Sequence, residues 1–207
     1  MVKKQQLCLA LDTASDNTSV ALLADDGTHA VNEMTAARGQ GEALMGMIQD
    51  VLKQMNKAPQ DITCIAVTVG PGSFTGVRIG LAAARGFALA LDIPVMGVDN
   101  FLATAYNVHK KTKVVLDSKR EDYFVQDFDA KGTPLASPKI ESVQELKKML
   151  PFTACGSGAQ RLKQEIGCSI MTNKTATALV IAKIALDHPK KTTQPHPLYL
   201  READVTI

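Results

Sequence analysis

A polar turn between two apolar runs is the first place where this sequence could do chemistry. Asp12 ends the run QLCLALD, and TASDN follows before the second run, TSVALLA. An aspartate here can manage Mg²⁺ or water, while backbone N–H groups of such a turn hold phosphate oxygens. Phosphate turns of this kind place glycine two residues after the aspartate, where this chain has Ala14. An anion site at Asp12, Thr13 and Ser15 and a merely capped turn therefore both stay open.

The segment TVGPGSFTGVRIGLAAARGFALA, residues 68–90, raises the same question. It lacks the lysine of a P-loop and the spacing of a dinucleotide fingerprint. Ser73 or Thr75 can cap the helix that follows. Free N–H groups near Gly72 and Ser73 could also receive an anion, but the capping role is preferred.

The sequence gives little support for a nucleophilic residue or for a metal site. Ser73 does not lie in a G-x-S-x-G elbow, and the four histidines show no metal-binding spacing. The four cysteines include no C-x-x-C pair, and Cys8 and Cys64 lie in apolar runs that predict burial. We therefore expect neither a catalytic residue nor a metal site.

The order of predicted elements indicates an α/β fold. Three strands, a helix, a strand, a second helix and a strand make a mixed sheet in the first half. The second half is a shortened echo, with Asp117 after its first strand as Asp12 follows the first. We predict two like subdomains, residues 1–105 and a smaller 106–207. The turn DSKRED of the second half is too bulky for phosphate, which argues against an ordinary ATPase or kinase.

Composition is that of a globular, cytosolic protein. The 207 residues are 45% apolar and 21% charged, with a net charge of +2. The lysine pairs are scattered and not interleaved with aromatic residues, so no nucleic-acid surface is expected. No signal peptide opens the chain, and Arg78, Arg85 and Asp92 interrupt the longest apolar region, so we expect no membrane span.

Two helices, at about 41–56 and after Ser73, carry more apolar surface than one small sheet can cover. Such an excess indicates a protein interface, although mutual burial inside the chain explains the pattern equally well. The candidate contact residues are Leu44, Met45, Ile48, Val51 and Met55 on the first helix and Phe74, Val77, Leu81 and Phe87 on the second.

Four stretches together resemble the TsaB family, formerly called YeaZ. They are LALDTASDNTSVALL, VTVGPGSFTGVRIGLAAARGFALALDIPVMGV, VVLDSKREDYFVQDF and the terminal PLYLRE. The resemblance implies an actin/hexokinase-like (ribonuclease H-like) fold of two subdomains. It also implies a role in the bacterial machinery that makes threonylcarbamoyladenosine in tRNA.

The resemblance further implies a scaffolding and activating subunit that does no catalysis itself. In that family the paralogue TsaD performs the transfer with a histidine-held metal, and this chain has Asp99, Asn100 and Ala103 in the comparable place. The two helices would pair with those of TsaD, or with a second copy as a homodimer in isolation. The ATPase TsaE would join the assembled pair. We expect no cofactor bound tightly by the isolated chain, ATP only in the assembled complex, tRNA only through that complex, and no membrane.

Two enzymatic alternatives remain. An independent ATP-dependent phosphotransferase or carbamoyltransferase would hold nucleotide with Asp12, Ser15 and Asp117. A protease acting on its paralogue would need a nucleophile paired with a base, for which the sequence offers no convincing candidate.

Overall fold

Two five-stranded sheets organise the chain. The computed structural model describes residues 5–35, 39–106, 108–171, 176–188 and 195–201. The chain divides into two compact units. The first unit comprises the described residues of 1–99 and 177–198, and the second unit comprises those of 100–176 and 199–207.

The helices and strands follow the order predicted for the first half, with a shorter version after it. In chain order they are β1 Leu7–Asp12, β2 Thr18–Ala24, β3 His29–Met34, α1 Gln40–Gln54, β4 Cys64–Thr68, α2 Phe74–Leu91, β5 Val95–Val98, α3 Asn100–Ala105, β6 Thr112–Asp117, β7 Asp122–Phe128, β8 Lys139–Ser142, α4 Val143–Lys148, β9 Thr153–Cys155, α5 Ala159–Ile166, β10 Ser169–Ile170 and α6 Ala178–Asp187. A single 3₁₀ turn, Pro59–Asp61, precedes β4.

The first sheet has the order β3-β2-β1-β4-β5. The strands β1, β2 and β3 form the predicted antiparallel meander, and β4 and β5 add to it in parallel. Alternate residues of β1, Leu7, Leu9 and Leu11, belong to an aliphatic core shared with α1 and α2. Because side chains alternate across a strand, Cys8, Ala10 and Asp12 take the other face.

The second sheet repeats this plan with shorter parts. Its order is β10-β9-β6-β7-β8, again an antiparallel meander with parallel strands added beside its first strand. Its core includes Val115, Tyr123, Val125, Leu146 and Leu162. The helices α4 and α5 have six and eight residues where α1 and α2 have 15 and 18, so this core is smaller. The predicted α/β fold of two duplicated subdomains, the second reduced, is confirmed.

Helix α6 packs on β1, β2 and β4 of the first sheet, although it comes from the second half of the sequence. The Ala178 N–H donates to Ser19 Oγ at 2.9 Å, and Ile181, Ala182 and Ala185 are buried. A sheet with two apolar faces needs cover on both, and α6 supplies the second layer. The predicted boundary between residues 105 and 106 stays a prediction; the units divide between Asp99 and Asn100.

The tail also belongs partly to the first unit. The Leu198 N–H donates to the Val69 carbonyl oxygen at 2.7 Å, and the Arg85 guanidinium donates to the Pro195 carbonyl. Backbone pairing beside β4 therefore holds this proline-rich segment in place. The lysine pairs at residues 3–4 and 190–191 lie outside the described residues.

Helix α2 is the one helix in the described ranges that is long and apolar enough to cross a membrane by length and composition, with a mean hydropathy of 1.3. The sequence predicts no membrane span, because charged residues interrupt its longest apolar region. One such helix is weak evidence for a span, because a core helix meets the same criteria, and Val77 and Leu81 of α2 lie in the core of the first unit.

The position of α6 predicts that its packing stabilises the first unit. Ile181→Ala removes a fully buried side chain and should lower the free energy of unfolding by about 2–4 kcal/mol. Urea denaturation followed by circular dichroism measures the change. Lys183→Ala, on the exposed side of the same helix, is the control and should stay within about 0.5 kcal/mol of the wild type. Equal effects would contradict this packing.

Candidate functional site

The turn between β1 and β2 is built around the buried carboxylate of Asp12. Its Oδ1 accepts hydrogen bonds from the Ala14 N–H at 3.0 Å, the Ser15 N–H at 3.3 Å and the Thr68 hydroxyl at 2.8 Å. Its Oδ2 is buried and has no hydrogen-bond partner in the described parts of the chain. One oxygen of Asp12 therefore organises the turn and the end of β4.

Two opposing effects of this environment act on the pKa of Asp12. Burial raises the pKa of Asp12, and hydrogen bonds from Ser15, Thr68 and Ala14 offset part of that rise. Two turn N–H groups that could bind a phosphate, those of Ala14 and Ser15, already donate to the carboxylate. A bound anion would have to displace those bonds close to a buried acidic group, which is unfavourable.

The glycines of residues 68–90 allow α2 to approach this turn closely. A Cβ atom on Gly72 would lie 2.2 Å from the Ala14 carbonyl oxygen, and one on Gly76 would lie 1.9 Å from that of Thr13. Real Cβ atoms never come so near, so only glycine fits at either position. Two hydrogen bonds hold the contact: the Thr13 hydroxyl donates to the Gly76 carbonyl at 2.6 Å, and the Ser73 N–H donates to the Ala14 carbonyl at 2.9 Å.

Ser73 caps α2. Its Oγ accepts the Gly76 N–H at 3.2 Å, one of the donors that a helix leaves unpaired in its first turn. Of the five predicted anion-site residues, Asp12 and Thr13 are buried and hydrogen-bonded, Ser15 is half-buried, and Gly72 and Ser73 are exposed. The contacts favour the capping role preferred from the sequence, and the anion site stays a prediction.

The predicted contact residues divide into two groups. Leu44, Ile48, Val51, Val77 and Leu81 are buried in the core of the first unit, Leu81 at 4% exposure. These five pack in the core of their own unit, and their contact with a partner stays a prediction. Their helical spacing predicted burial but could not distinguish a chain's own sheet from another protein.

The remaining contact residues are accessible to different degrees. Met45 is 44% exposed, whereas Phe74, Met55 and Phe87 are half-buried. The Arg78 guanidinium lies 3.8 Å from the centre of the Phe74 ring, a cation–π contact at the start of α2.

One side of α2 carries an exposed stripe, here called the α2 stripe, formed by Arg78, Ala82, Arg85, Gly86 and Leu89. The contact residues predicted from the sequence did not include Leu89, the main apolar residue of this stripe. Leu89 is 85% exposed, more than any other large apolar side chain among those described. Arg78, Ala82, Arg85 and Gly86 are exposed on the same side. The spacing 78, 82, 85, 89 is that of one helix face, so helical periodicity could have identified it.

The second unit holds its own aspartate differently. Arg161 donates to Asp117 Oδ1 at 3.0 Å and to Glu165 Oε1 at 3.1 Å, and its guanidinium lies 4.6 Å from the centre of the Tyr123 ring. Burial and a hydrogen bond to Glu165 raise the pKa of Tyr123. Asp117 is thus neutralised by an arginine, whereas Asp12 is buried among neutral hydrogen-bond donors.

Metal-binding side chains do not gather in the parts of the chain that can be described. No group of three His, Cys, Asp or Glu residues is close enough there to hold an ion. Asn100 and Ala103, which the resemblance to the TsaB family places where TsaD would hold its metal, are buried in α3.

Comparison with known proteins identifies relatives of this chain. Residues 30–196 match the family described as "TsaD: tRNA N6-adenosine threonylcarbamoyltransferase". The chain belongs to this family. It is 39% identical over 103 residues to the tRNA threonylcarbamoyladenosine biosynthesis protein TsaB of Escherichia coli, covering 50% of this chain and 44% of that one. It is 36% identical over 99 residues to TsaB of Bacillus subtilis, covering 48% and 43%.

Solved structures agree on the fold. YeaZ from Pseudomonas aeruginosa has a TM-score of 0.77 and 22% identity, with 94% of this chain and 100% of that chain covered. The ADPNP-bound activator of 2-hydroxyisocaproyl-CoA dehydratase from Clostridium difficile has a TM-score of 0.55 and 12% identity, covering 90% and 96%. The resemblance to TsaB (YeaZ) and the actin-like fold are confirmed. The matches span about half the length of the TsaB relatives.

The contact between α2 and the β1–β2 turn predicts an unequal effect of two glycine substitutions. Gly76→Ala forces the turn and the helix apart and should lower the free energy of unfolding by about 3 kcal/mol. Gly46→Ala is the control: a Cβ on this exposed α1 residue meets nothing within 4 Å, and alanine should raise stability by about 0.5–1 kcal/mol. Chemical denaturation measures both. A tolerated Gly76→Ala would show that the close contact is not required.

Proposed function

We propose that this chain is an accessory, non-catalytic subunit of the machinery that makes threonylcarbamoyladenosine in tRNA. It binds and stabilises a TsaD-type transferase. The names of its relatives support the pathway, and membership in the TsaD family supports pairing between two related subunits. The observation that carries the proposed binding role is the exposed α2 stripe.

The stripe has the properties of a protein-binding surface. Leu89 is an apolar side chain that water surrounds, and burying it against a partner is favourable. Ala82 and Gly86 present little bulk, so a partner helix can approach closely. The opposite side of α2 lies in the core of the first unit, which holds the stripe in place before binding.

The positive charge of the α2 stripe predicts an acidic surface on the partner. Arg78 and Arg85 are exposed beside the apolar residues of the stripe, so an acidic rim around an apolar helix face is complementary. Met45, exposed on α1, adds an adaptable contact. Met55, Phe74 and Phe87 contribute their accessible portions.

The same surface serves a second copy of the chain when the transferase is absent, giving a homodimer. A TsaE-type ATPase joins the assembled pair, and ATP binds only in that complex. The subunit meets tRNA through the complex and works in the cytoplasm. The engaged hydrogen bonds around Asp12 and Ser73 support a structural role for the turn rather than phosphate chemistry.

Substitution on the stripe should separate binding from folding. Leu89→Arg places a charge at the centre of the proposed interface and should weaken binding to the TsaD-type partner by about 30-fold or more, or about 2 kcal/mol. Calorimetry with the purified partner measures the affinity. Leu135→Arg, at a 51% exposed leucine in the second unit, is the matched control and should bind as the wild type does.

Binding and cellular function can be tested together. Replacement of the chromosomal copy by Leu89→Arg should lower threonylcarbamoyladenosine in digested tRNA, measured by mass spectrometry, while Leu135→Arg should not. Unchanged binding by a folded Leu89→Arg protein would overturn the proposed surface. Micromolar binding of Mg-ATP to the isolated chain would instead favour the ATP-dependent transferase.

A substitution in the core gives a different result. Leu81→Arg buries a charge at 4% exposure and should unfold the protein, because an unpaired buried charge costs several kcal/mol. Loss of the circular dichroism signal is the expected outcome. A folded Leu81→Arg protein that fails to bind would return Leu81 to the interface.

A further inference from the structure

Residues 195–198, here called the tail segment, dock on the first unit far along the chain from β4 and β5. The Leu198 N–H donates to the Val69 carbonyl oxygen at 2.7 Å, directly after β4 ends, and the Leu198 side chain packs against the core of the first unit. Pro195 is buried, and a Cβ atom on Gly97 would lie 2.9 Å from Pro195 Cβ. Real Cβ atoms do not come so near, so the glycine in β5 allows the tail segment to lie this close.

The tail segment also contacts the α2 stripe, through Arg85. Nη2 of Arg85 donates to the Pro195 carbonyl oxygen, while the Arg85 side chain remains exposed. Arg85 precedes Leu89 by four residues, so the two side chains are neighbours on one face of α2. The tail segment therefore sets the direction of a charged side chain next to the main apolar residue of the stripe.

The bond to Pro195 leaves Arg85 able to bind an acid. A carbonyl oxygen is neutral, so it does not cancel the positive charge of the guanidinium. A guanidinium has five N–H donors, and one bond at Nη2 still leaves a pair of parallel donors, which a carboxylate accepts in bidentate geometry. An arginine that is already held in one direction loses less conformational freedom on binding than an unrestrained one.

We propose that the tail segment is a positioning element of the partner-binding surface, which holds Arg85 ready for a carboxylate of the TsaD-type partner beside Leu89. This inference rests on the proposed function. Docking of the tail segment and binding of the partner are positively coupled, because both hold the same guanidinium in the same place. The coupling acts equally in both directions. A detached tail segment weakens partner binding, and a bound partner stabilises the docked tail segment.

The contact between Arg85 and the tail segment can be tested without a partner. Arg85→Ala removes an exposed side chain together with its bond to Pro195, so the tail segment should detach more often. Exchange of the Leu198 N–H with deuterium, followed by nuclear magnetic resonance, should become about fivefold faster. Arg78→Ala, at the other exposed arginine of the stripe, is the matched control and should leave this exchange unchanged. Equal exchange rates in the two variants would refute the hold of Arg85 on the tail segment.

The effect on binding is measured by calorimetry with the purified TsaD-type partner. Leu198→Pro removes the N–H that donates to Val69 and should weaken binding about fivefold, because Arg85 is then no longer held. Leu198→Ala keeps this N–H and is the matched control, with an expected loss below twofold. Arg85→Ala should weaken binding about tenfold. The double variant Arg85→Ala with Leu198→Pro should bind as Arg85→Ala alone does, because no guanidinium is left to position.

The outcomes separate this role from the proposed function, provided that circular dichroism shows each variant folded. Wild-type affinity in Leu198→Pro would overturn the positioning role, and tighter binding would show that the tail segment competes with the partner. Additive losses in the double variant would also contradict it, since the tail segment would then act on the partner without Arg85. Failure of the wild-type protein to bind the partner would instead refute the proposed function.

Discussion

The close contact between α2 and the β1–β2 turn is the constraint on which the first unit depends. The Cβ positions of Gly72 and Gly76 would overlap carbonyl oxygens of that turn, so the helix begins directly on it. Hydrogen bonds of Thr13 and Ser73 across the contact fix its register. Once the first turn of α2 is fixed, the helix must lay one face on the sheet and leave the other outside.

That constraint also decides the chemistry of the turn. In a phosphate-binding hairpin the backbone N–H groups and the aspartate remain available to a ligand. Here Asp12 uses one oxygen to hold the turn N–H groups and Thr68, and Ser73 caps the helix. The groups that resemble a nucleotide site in the sequence therefore make structural contacts, and their role as an anion site stays a prediction. The α2 stripe, whose position the same contacts set, is the surface that we propose for recognition.

The two units share one strand order but differ in their turns and helices. The second sheet keeps the strand order of the first, but its turn carries charged residues and Arg161 neutralises Asp117. Its helices are shorter, so it buries a smaller core. The first unit instead takes α6 from the end of the chain to cover its second face. A shared topology thus supports two different local solutions for an aspartate at the end of a strand.

The sequence by itself determined the strand and helix order, the duplication, the cap at Ser73 and the family, because periodicity, turn residues and long matching stretches are local properties. It also determined that Leu44, Ile48 and Leu81 would be buried. Only the tertiary structure decided what buries them: their own sheet, since a helical stripe of apolar residues fits a sheet or a partner equally well. Pairing between distant segments placed α6 on the first sheet and Cys8 beside Cys64, because burial and register depend on contacts that no local pattern encodes.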